Sequence, residues 1–170
     1  MPDIDINAID FAILFGHHEG DPFLDDFLSQ FGPKPEFDPD DTQIAFLSYK
    51  DYGFSLHFKA EWWLENLTPT RGGRYILTAL MFYAEGFEGF KEFNGQLPNG
   101  LVFSDNREKV RQKSDAPFAS GGGGKSRLLG LLPEYDQYKL PEIGALMFIR
   151  YSMDKTRIDM VTFEKEQYRK

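Results

Sequence analysis

Apolar positions change period twice in the first half of the chain. Ile6, Ile9 and Ile13, with Phe11 and Leu14, recur at helical spacing and stop at Gly16, which predicts a short helix ending on glycine. In "GDPFLDDFLSQFGPKP" the stripe Phe23, Leu24, Phe27, Leu28 and Phe31 predicts a second helix. Asp21 is its N-cap, Pro22 takes the first helical position, and Asp25 and Asp26 fall near the first turn, where the helix dipole favours them. Gly32-Pro33 stops it. The period then drops to two. "TQIAFLSY" and "YGFSLHFK" alternate, with Phe54, Leu56 and Phe58 on one face and Ser55, His57 and Lys59 on the other, so His57 is expected on an exposed sheet face. "TPTRGG" is a turn, "RYILTALMFYAEG" a third and more apolar strand, and "NGQLPNG" a loop.

The order then restarts. "SDNREKVRQKSDAP" predicts a helix with Ser104 or Asp105 as cap, Glu108 placed for a capping box, Val110 facing inward and Pro117 beyond its end. A glycine-rich connection follows, then the strands "IGALMFIRYS" and "TRIDMVTFEKE" joined by the tight turn "SMDK". "FLSQFGPKP" overlays "VRQKSDAP", "YGFSLHF" overlays "IGALMFI", and "LTALMF" overlays "IDMVTF". The expected fold is α+β: two degenerate repeats of helices packed on one face of an antiparallel β-sheet. They would form a single compact unit over 1–170, with a first helix-sheet repeat at 1–97 and a second at 98–170.

Candidate chemistry changes this picture little. "ASGGGGKS", residues 119–126, fits a relaxed phosphate-loop pattern. A phosphate loop leaves a buried strand and enters a helix, so that amides and the helix N-terminus point at the phosphates. Here a helix tail and a proline precede the glycines, and Gly130 and Pro133 leave at most about two turns of helix after Ser126. The stretch is expected to be a mobile helix-to-strand loop. His17 and His18, with Glu19 and Asp21, are adjacent in a turn and point apart, so no metal site is expected there. Asp38, Asp40 and Asp41 lack the glycine and distal glutamate of a calcium loop. No nucleophile carries a recognisable activating base, and no catalytic residue, metal or cofactor is expected. Trp62 and Trp63 are adjacent, so at least one should turn away from the core, and tryptophan is a favoured interface anchor. Tyr52, Tyr135 and Tyr138, with Asp51, Glu134 and Asp136, form aromatic-plus-acid patches of the kind that bind a basic protein surface.

Composition narrows the class. The chain has 170 residues, 41% of them hydrophobic and 16% aromatic, enough for a core. The net charge of −8 disfavours nucleic acid and anionic membrane and suits a basic partner. The absence of cysteine suits a reducing cytoplasm, the N-terminus has no signal-peptide character, and no apolar run approaches the ~20 residues of a membrane span.

The phrases "AILFGHHEGDPFLDDFLSQFG" and "FKEFNGQLPNGLVFSDNREKVRQKSDAPFASGGGG", followed by "EYDQY" and a strand pair, resemble a group of small bacterial immunity proteins of polymorphic or contact-secreted toxins. That group carries a Leu-Pro-x-Gly-Leu-x-Phe-x-Asp phrase, present here as Leu97-Pro98-Asn99-Gly100-Leu101-Val102-Phe103-Ser104-Asp105, and then a helix and a Leu-Gly-x-Pro loop. Ser114-Asp115 replaces the Leu-Gly, which should loosen the end of the second helix. The tandem layout is also similar to the β-lactamase-inhibitor-protein fold, with its concave binding sheet. The resemblance implies a cytoplasmic immunity protein that neutralises a cognate toxin, such as a nuclease effector delivered by type VI secretion, by stoichiometric binding rather than as an enzyme. Trp62, Trp63, Tyr52, Tyr135 and Tyr138 are the expected anchors, with Asp51, Glu134 and Asp136 as polar rim. An assembly or scaffold module, an acid-pair hydrolase, and a nucleotide-binding enzyme acting through residues 119–126 are the alternatives.

Overall fold

The N-terminal stripe folds as a 3-10 helix over Ala8–Leu14 in the computed structural model of the chain, which describes residues 5–39, 43–64 and 74–169. Asn7 caps it, accepting from the Ile9 N–H, while Asp10 accepts from the Asn7 N–H. Helix α1, Pro22–Leu28, begins as its sequence dictates, with the Asp21 carboxylate accepting from the Phe23 N–H and Pro22 in the first position. Leu24, Leu28 and Phe31 are buried and Phe27 packs against them, but Phe23 lies largely exposed, stacked on the His17 ring. The stripe is therefore narrower than its sequence pattern.

The strands follow as β1 (Asp38–Pro39), β2 (Ile44–Tyr49), β3 (Phe54–Ala60) and, after the one-turn helix α2 (Glu61–Leu64), β4 (Tyr75–Tyr83). The turn expected over 68–73, and Asp40 and Asp41, lie outside the described residues. Helix α3, Arg107–Lys113, opens the second half. Its cap is Asn106, whose side chain accepts from the Lys109 N–H, not Ser104 or Asp105. Asp105 is buried instead: its carboxylate accepts from the Val102 N–H and from Lys113. The end of α3 is fastened rather than loosened. Ser114 is buried and accepts from the Asn99 amide, and Asp115 takes the left-handed conformation (φ 59°) that a glycine would fill.

Strands β5 (Ala119–Gly121), β6 (Lys125–Ser126), β7 (Gly130–Leu131), β8 (Tyr135–Leu140), β9 (Ala145–Tyr151) and β10 (Ile158–Lys165) complete the chain. The glycine stretch is thus an edge strand and a small hairpin, with no helix after Ser126. β6 and β7 pair only with each other. The remaining eight strands form one antiparallel sheet in the order β1-β2-β3-β4-β10-β9-β8-β5. Each half enters at an edge and works inward, and the halves meet at β4–β10. The β2–β3 and β8–β9 connections are alike: a 3-10 turn (Lys50–Tyr52 and Pro141–Ile143) closed by a left-handed glycine, Gly53 or Gly144. A Cβ at Gly53 would collide with the backbone of Lys91 and Phe93, so the position demands glycine twice over.

The N-terminal 3-10 helix and α1 pack on one face of this sheet around an aromatic cluster, and α3 packs on the same face through Val110. Phe11 is fully buried, with its ring 4.9 Å from Phe54, 5.3 Å from Phe27, 5.4 Å from Phe82 and 5.8 Å from Phe31. Phe11→Ala is expected to cost about 3–5 kcal/mol of stability. Urea unfolding would measure it, and a cost under about 1 kcal/mol would contradict the central place given to this ring.

Candidate protein-binding face

Strand register defines a second face of the sheet, opposite the helices. Phe46 pairs with His57 and His57 with Ala79; Ser55 pairs with Met81, Met81 with Thr162, Thr162 with Phe148, and Phe148 with Gln137. A further row runs Tyr83, Met160, Arg150, Tyr135 and Gly121. The neighbours of these residues along each strand (Leu47, Phe54, Leu56, Leu80, Phe82, Val161, Phe163, Ile149) form the core on the other side. The second face is half-buried at Phe46, His57, Met81, Phe148 and Met160. It holds two adjoining hollows that share Met160. One, of about 380 Å³, is lined by Phe46, Ser55, His57, Met81 and Tyr83 among others. The other, of about 300 Å³, is lined by Tyr135, Phe148, Arg150, Thr162 and Glu164 among others.

The walls of this face are fixed. Tyr83 stacks on Phe90 at 3.7 Å, and its hydroxyl lies 2.8 Å from Ser55 Oγ. Phe87 covers the Arg150 guanidinium at 5.1 Å, and Arg169 lies 5.5 Å above Phe148. His57 is on this face as expected, but it is not solvated: its ring stands edge-on to Phe46 at 4.3 Å, and burial lowers its pKa to about 4. Lys50, Lys59, Lys139, Arg150 and Arg169 are the cations here and Glu88 and Glu164 the acids, so the acidic excess of the chain lies elsewhere.

The eight sequence-predicted residues do not form one patch. Tyr135 lies on this face, more than a third exposed, at the corner where β8 begins. Trp63 lies half-buried in α2 with the Lys59 ammonium 5.3 Å above its ring, at the diagonally opposite corner; Trp62 is half-buried beside it in the same turn of helix. Tyr52 and Asp51 belong to the β2–β3 turn, away from this face. Tyr52 packs edge-on against Phe31 at 5.3 Å, and Asp51 is exposed 3.8 Å from Lys91. Tyr138 faces inward and joins the core, because β8 alternates and its neighbours Gln137 and Lys139 take the outward positions. Asp136 is also inside, and Glu134 is shielded and held by Arg107 and Lys155, so neither is a free polar rim.

Asp136 is instead a structural anchor. Its fully buried carboxylate accepts five hydrogen bonds: from Nε and Nη2 of Arg107, Nε and Nη2 of Arg111, and the Tyr151 hydroxyl at 2.9 Å. Burial alone would raise its pKa, but the hydrogen bonds from Arg111, Arg107 and Tyr151 outweigh that and hold it below the usual carboxylate value. This cluster locks α3 onto β8 and β9 from the helix side. The sequence signal for it was weak: Arg107 and Arg111 share one helix face, but their target lies 25–29 residues away. The phrase Leu97 to Asp105 is likewise structural. Leu97, Leu101 and Phe103 are buried, and the Phe103 carbonyl accepts from the Ile158 N–H.

No known family model matches the sequence, and no curated protein matches it. The fold is similar to that of a solved extracellular protein containing an SCP domain from Bacillus anthracis, with a TM-score of 0.53 and 9% identity. The match covers 98% of this chain and 48% of that protein, so the chain spans about half of its length. At this identity the likeness concerns the fold alone. Among the described residues no helix is long and apolar enough to cross a membrane, and no group of three or more His, Asp or Glu side chains is placed to hold a metal ion.

Two outcomes follow from these surroundings. Asp136→Asn leaves two guanidiniums and a buried hydroxyl facing a neutral amide, and should cost about 3 kcal/mol at pH 7. Because the folded carboxyl has the lower pKa, its contribution is complete above the unfolded value of about 3.9 and fades as pH falls below it. The difference between wild type and variant, read by urea unfolding at pH 7 and near pH 3, should therefore shrink in acid; an undiminished difference would discard the ionic account. For His57, burial favours the neutral ring, so stability is full above about pH 6.5 and declines towards pH 4. An NMR titration should place the His57 midpoint near 4, and a midpoint above 6 would mean the ring is hydrated.

Proposed function

We propose that the chain is an immunity protein, a stoichiometric inhibitor that binds a cognate bacterial toxin in the cytoplasm through the second face of its sheet and performs no catalysis. The observation that carries this reading is the surface itself. Phe46, Met81, Phe148, Met160 and Tyr135 line two adjoining hollows on the eight-stranded sheet, while the N-terminal 3-10 helix, α1 and α3 pack on the opposite face. Aromatic, methionine and arginine side chains are enriched in interface cores, and Arg150 lines one of these hollows beside Phe148 and Met160. A preformed sheet loses little conformational entropy on binding, which suits tight inhibition. The net charge of −8 would speed encounter with a basic partner such as a nuclease toxin.

The reading includes two degenerate repeats, 1–97 and 98–170. Its support is the mirrored strand order about β4–β10 and the matched 3-10 turns ending at Gly53 and Gly144. The resemblance of the Leu97–Asp105 phrase to toxin-immunity proteins is consistent with it. Of the eight residues first expected to bind, Tyr135 and Trp63 are kept, at opposite corners of the face.

The test is co-expression in a bacterial host with the toxin gene of the adjacent reading frame. Wild type should protect, and Phe148→Asp with Met160→Asp should abolish protection while the purified variant retains its circular-dichroism spectrum. A host that dies as readily with the wild-type protein as without it sinks the immunity reading.

A further inference from the structure

The segment that matched the phosphate-loop pattern is neither a phosphate site nor a slack linker. It leaves the sheet at Gly121, forms the β6–β7 hairpin, and returns at Tyr135. Close packing accounts for three of its glycines, Gly121, Gly122 and Gly123. A Cβ at Gly122 (φ 77°) would collide with the Pro133 carbonyl; one at Gly121 would lie 2.7 Å from the Tyr135 hydroxyl, and one at Gly123 3.1 Å from Glu134 Cγ. Glu134 is itself held, by Arg107 at 3.3 Å and Lys155 at 3.2 Å. Cross-strand bonds close the ladder: the Gly123 N–H donates to the Leu132 carbonyl at 3.0 Å, and the Leu132 N–H to the Gly124 carbonyl at 2.9 Å. At the tip, Ser126 Oγ accepts from the N–H groups of both Leu128 and Leu129 at 3.2 Å.

This scaffold holds apolar side chains in water. Leu128 is 94% exposed, Leu129 76% and Leu131 52%. Nothing in the fold needs them there, and a contiguous apolar group of this kind marks a contact site. The charge of the segment is also distinct. Residues 116–133 contain Lys125 and Arg127 and no acid, in a chain whose net charge is −8.

We infer that the hairpin is a preorganised arm. It inserts Leu128 and Leu129 into an apolar cleft of the protein partner, while Lys125 and Arg127 meet carboxylates at the mouth of that cleft. The inference rests on the toxin-binding reading and adds a second contact region to it. A protein fits better than a membrane. The arm springs from the corner of the sheet where Tyr135 lies, so one curved partner can fill the hollows and receive the tip together, whereas a flat bilayer reaches the tip alone. The overall negative charge also opposes anionic lipid.

The test titrates wild type and a Leu128→Ser, Leu129→Ser variant against the purified product of the adjacent toxin reading frame, by calorimetry. Both side chains are outside the core, so the variant should keep the wild-type thermal midpoint while its affinity falls by about 30-fold or more, as for paired anchor residues. Tight wild-type binding that the variant retains overturns the arm and leaves the immunity reading standing. No wild-type binding removes both. Wild-type flotation with phosphatidylglycerol vesicles that the variant loses would overturn the protein cleft in favour of a membrane.

Discussion

Everything in this molecule hangs on the pairing of β4 with β10. These strands come from opposite halves of the sequence, and their ladder, from Met160 opposite Tyr83 to Glu164 opposite Ala79, turns two four-stranded pieces into one sheet. Because strand side chains alternate, the same ladder serves both faces. On the helix side it sets Phe82 5.3 Å from Phe163, continuing the Phe11 cluster across the seam. On the other side it sets Met81 beside Thr162 and Tyr83 beside Met160, where the two hollows adjoin. A slip of one residue here would exchange the two faces, moving Phe82 and Phe163 into solvent.

The halves are secured to their helices by different chemistry. The first uses aromatic packing: Phe11, Phe27 and Phe31 bury against Phe54 and Phe82, with no ion pair in the cluster. The second has a shorter apolar stripe on α3, where Val110 is the buried residue, and relies on Asp136 with Arg107 and Arg111. A buried carboxylate with five donors is geometrically exacting, since a shift of α3 leaves charge unpaired in the interior. The same helix then controls the base of the hairpin, because Arg107 also holds Glu134. The base of the hairpin that carries Leu128 and Leu129 is thus connected through Arg107 to the buried Asp136 cluster.

Sequence patterns were most legible where the cause is local. Asp21 and Pro22 announce the start of α1, and the alternation in "FSLHFK" assigns Phe54, Leu56 and Phe58 to the core. They failed where long-range contacts decide. Tyr138 and Asp136 read as surface because tyrosine and aspartate usually are, yet their positions on β8 point inward and Asp136 finds partners more than twenty residues away. Phe148, Met160 and Met81 carry no sequence signal that separates them from their apolar core neighbours, and it is register that puts them on the open face. In β3 and β9 the first three residues are all buried and only two of the seven are half-buried, so these strands are nearly as buried on both faces as a central parallel strand, and alternation alone does not separate the faces. The glycine run pairs as strand where a loop was expected, for a related reason. Composition counts glycine as freedom, whereas at Gly121 and Gly122 it is what allows two backbone segments and a tyrosine ring to touch.

Charge and contact are separated in space on this protein, and that separates what each can do for binding. The acidic excess lies off the open face, where Lys50, Lys59, Lys139, Arg150 and Arg169 outnumber Glu88 and Glu164, and off the hairpin, whose charges are both positive. A distributed field of this kind acts over a Debye length of about 8 Å at physiological salt and changes how often partners meet. In the complex proposed above, residence time would be decided where water is excluded, at Met160, Phe148 and the leucines of the arm. In the proposed complex, salt should therefore slow association while leaving dissociation nearly constant, and loss of the apolar contacts should do the reverse. On the proposed reading, the acidic composition would govern the approach to a basic partner, and the apolar face and the arm the grip on it.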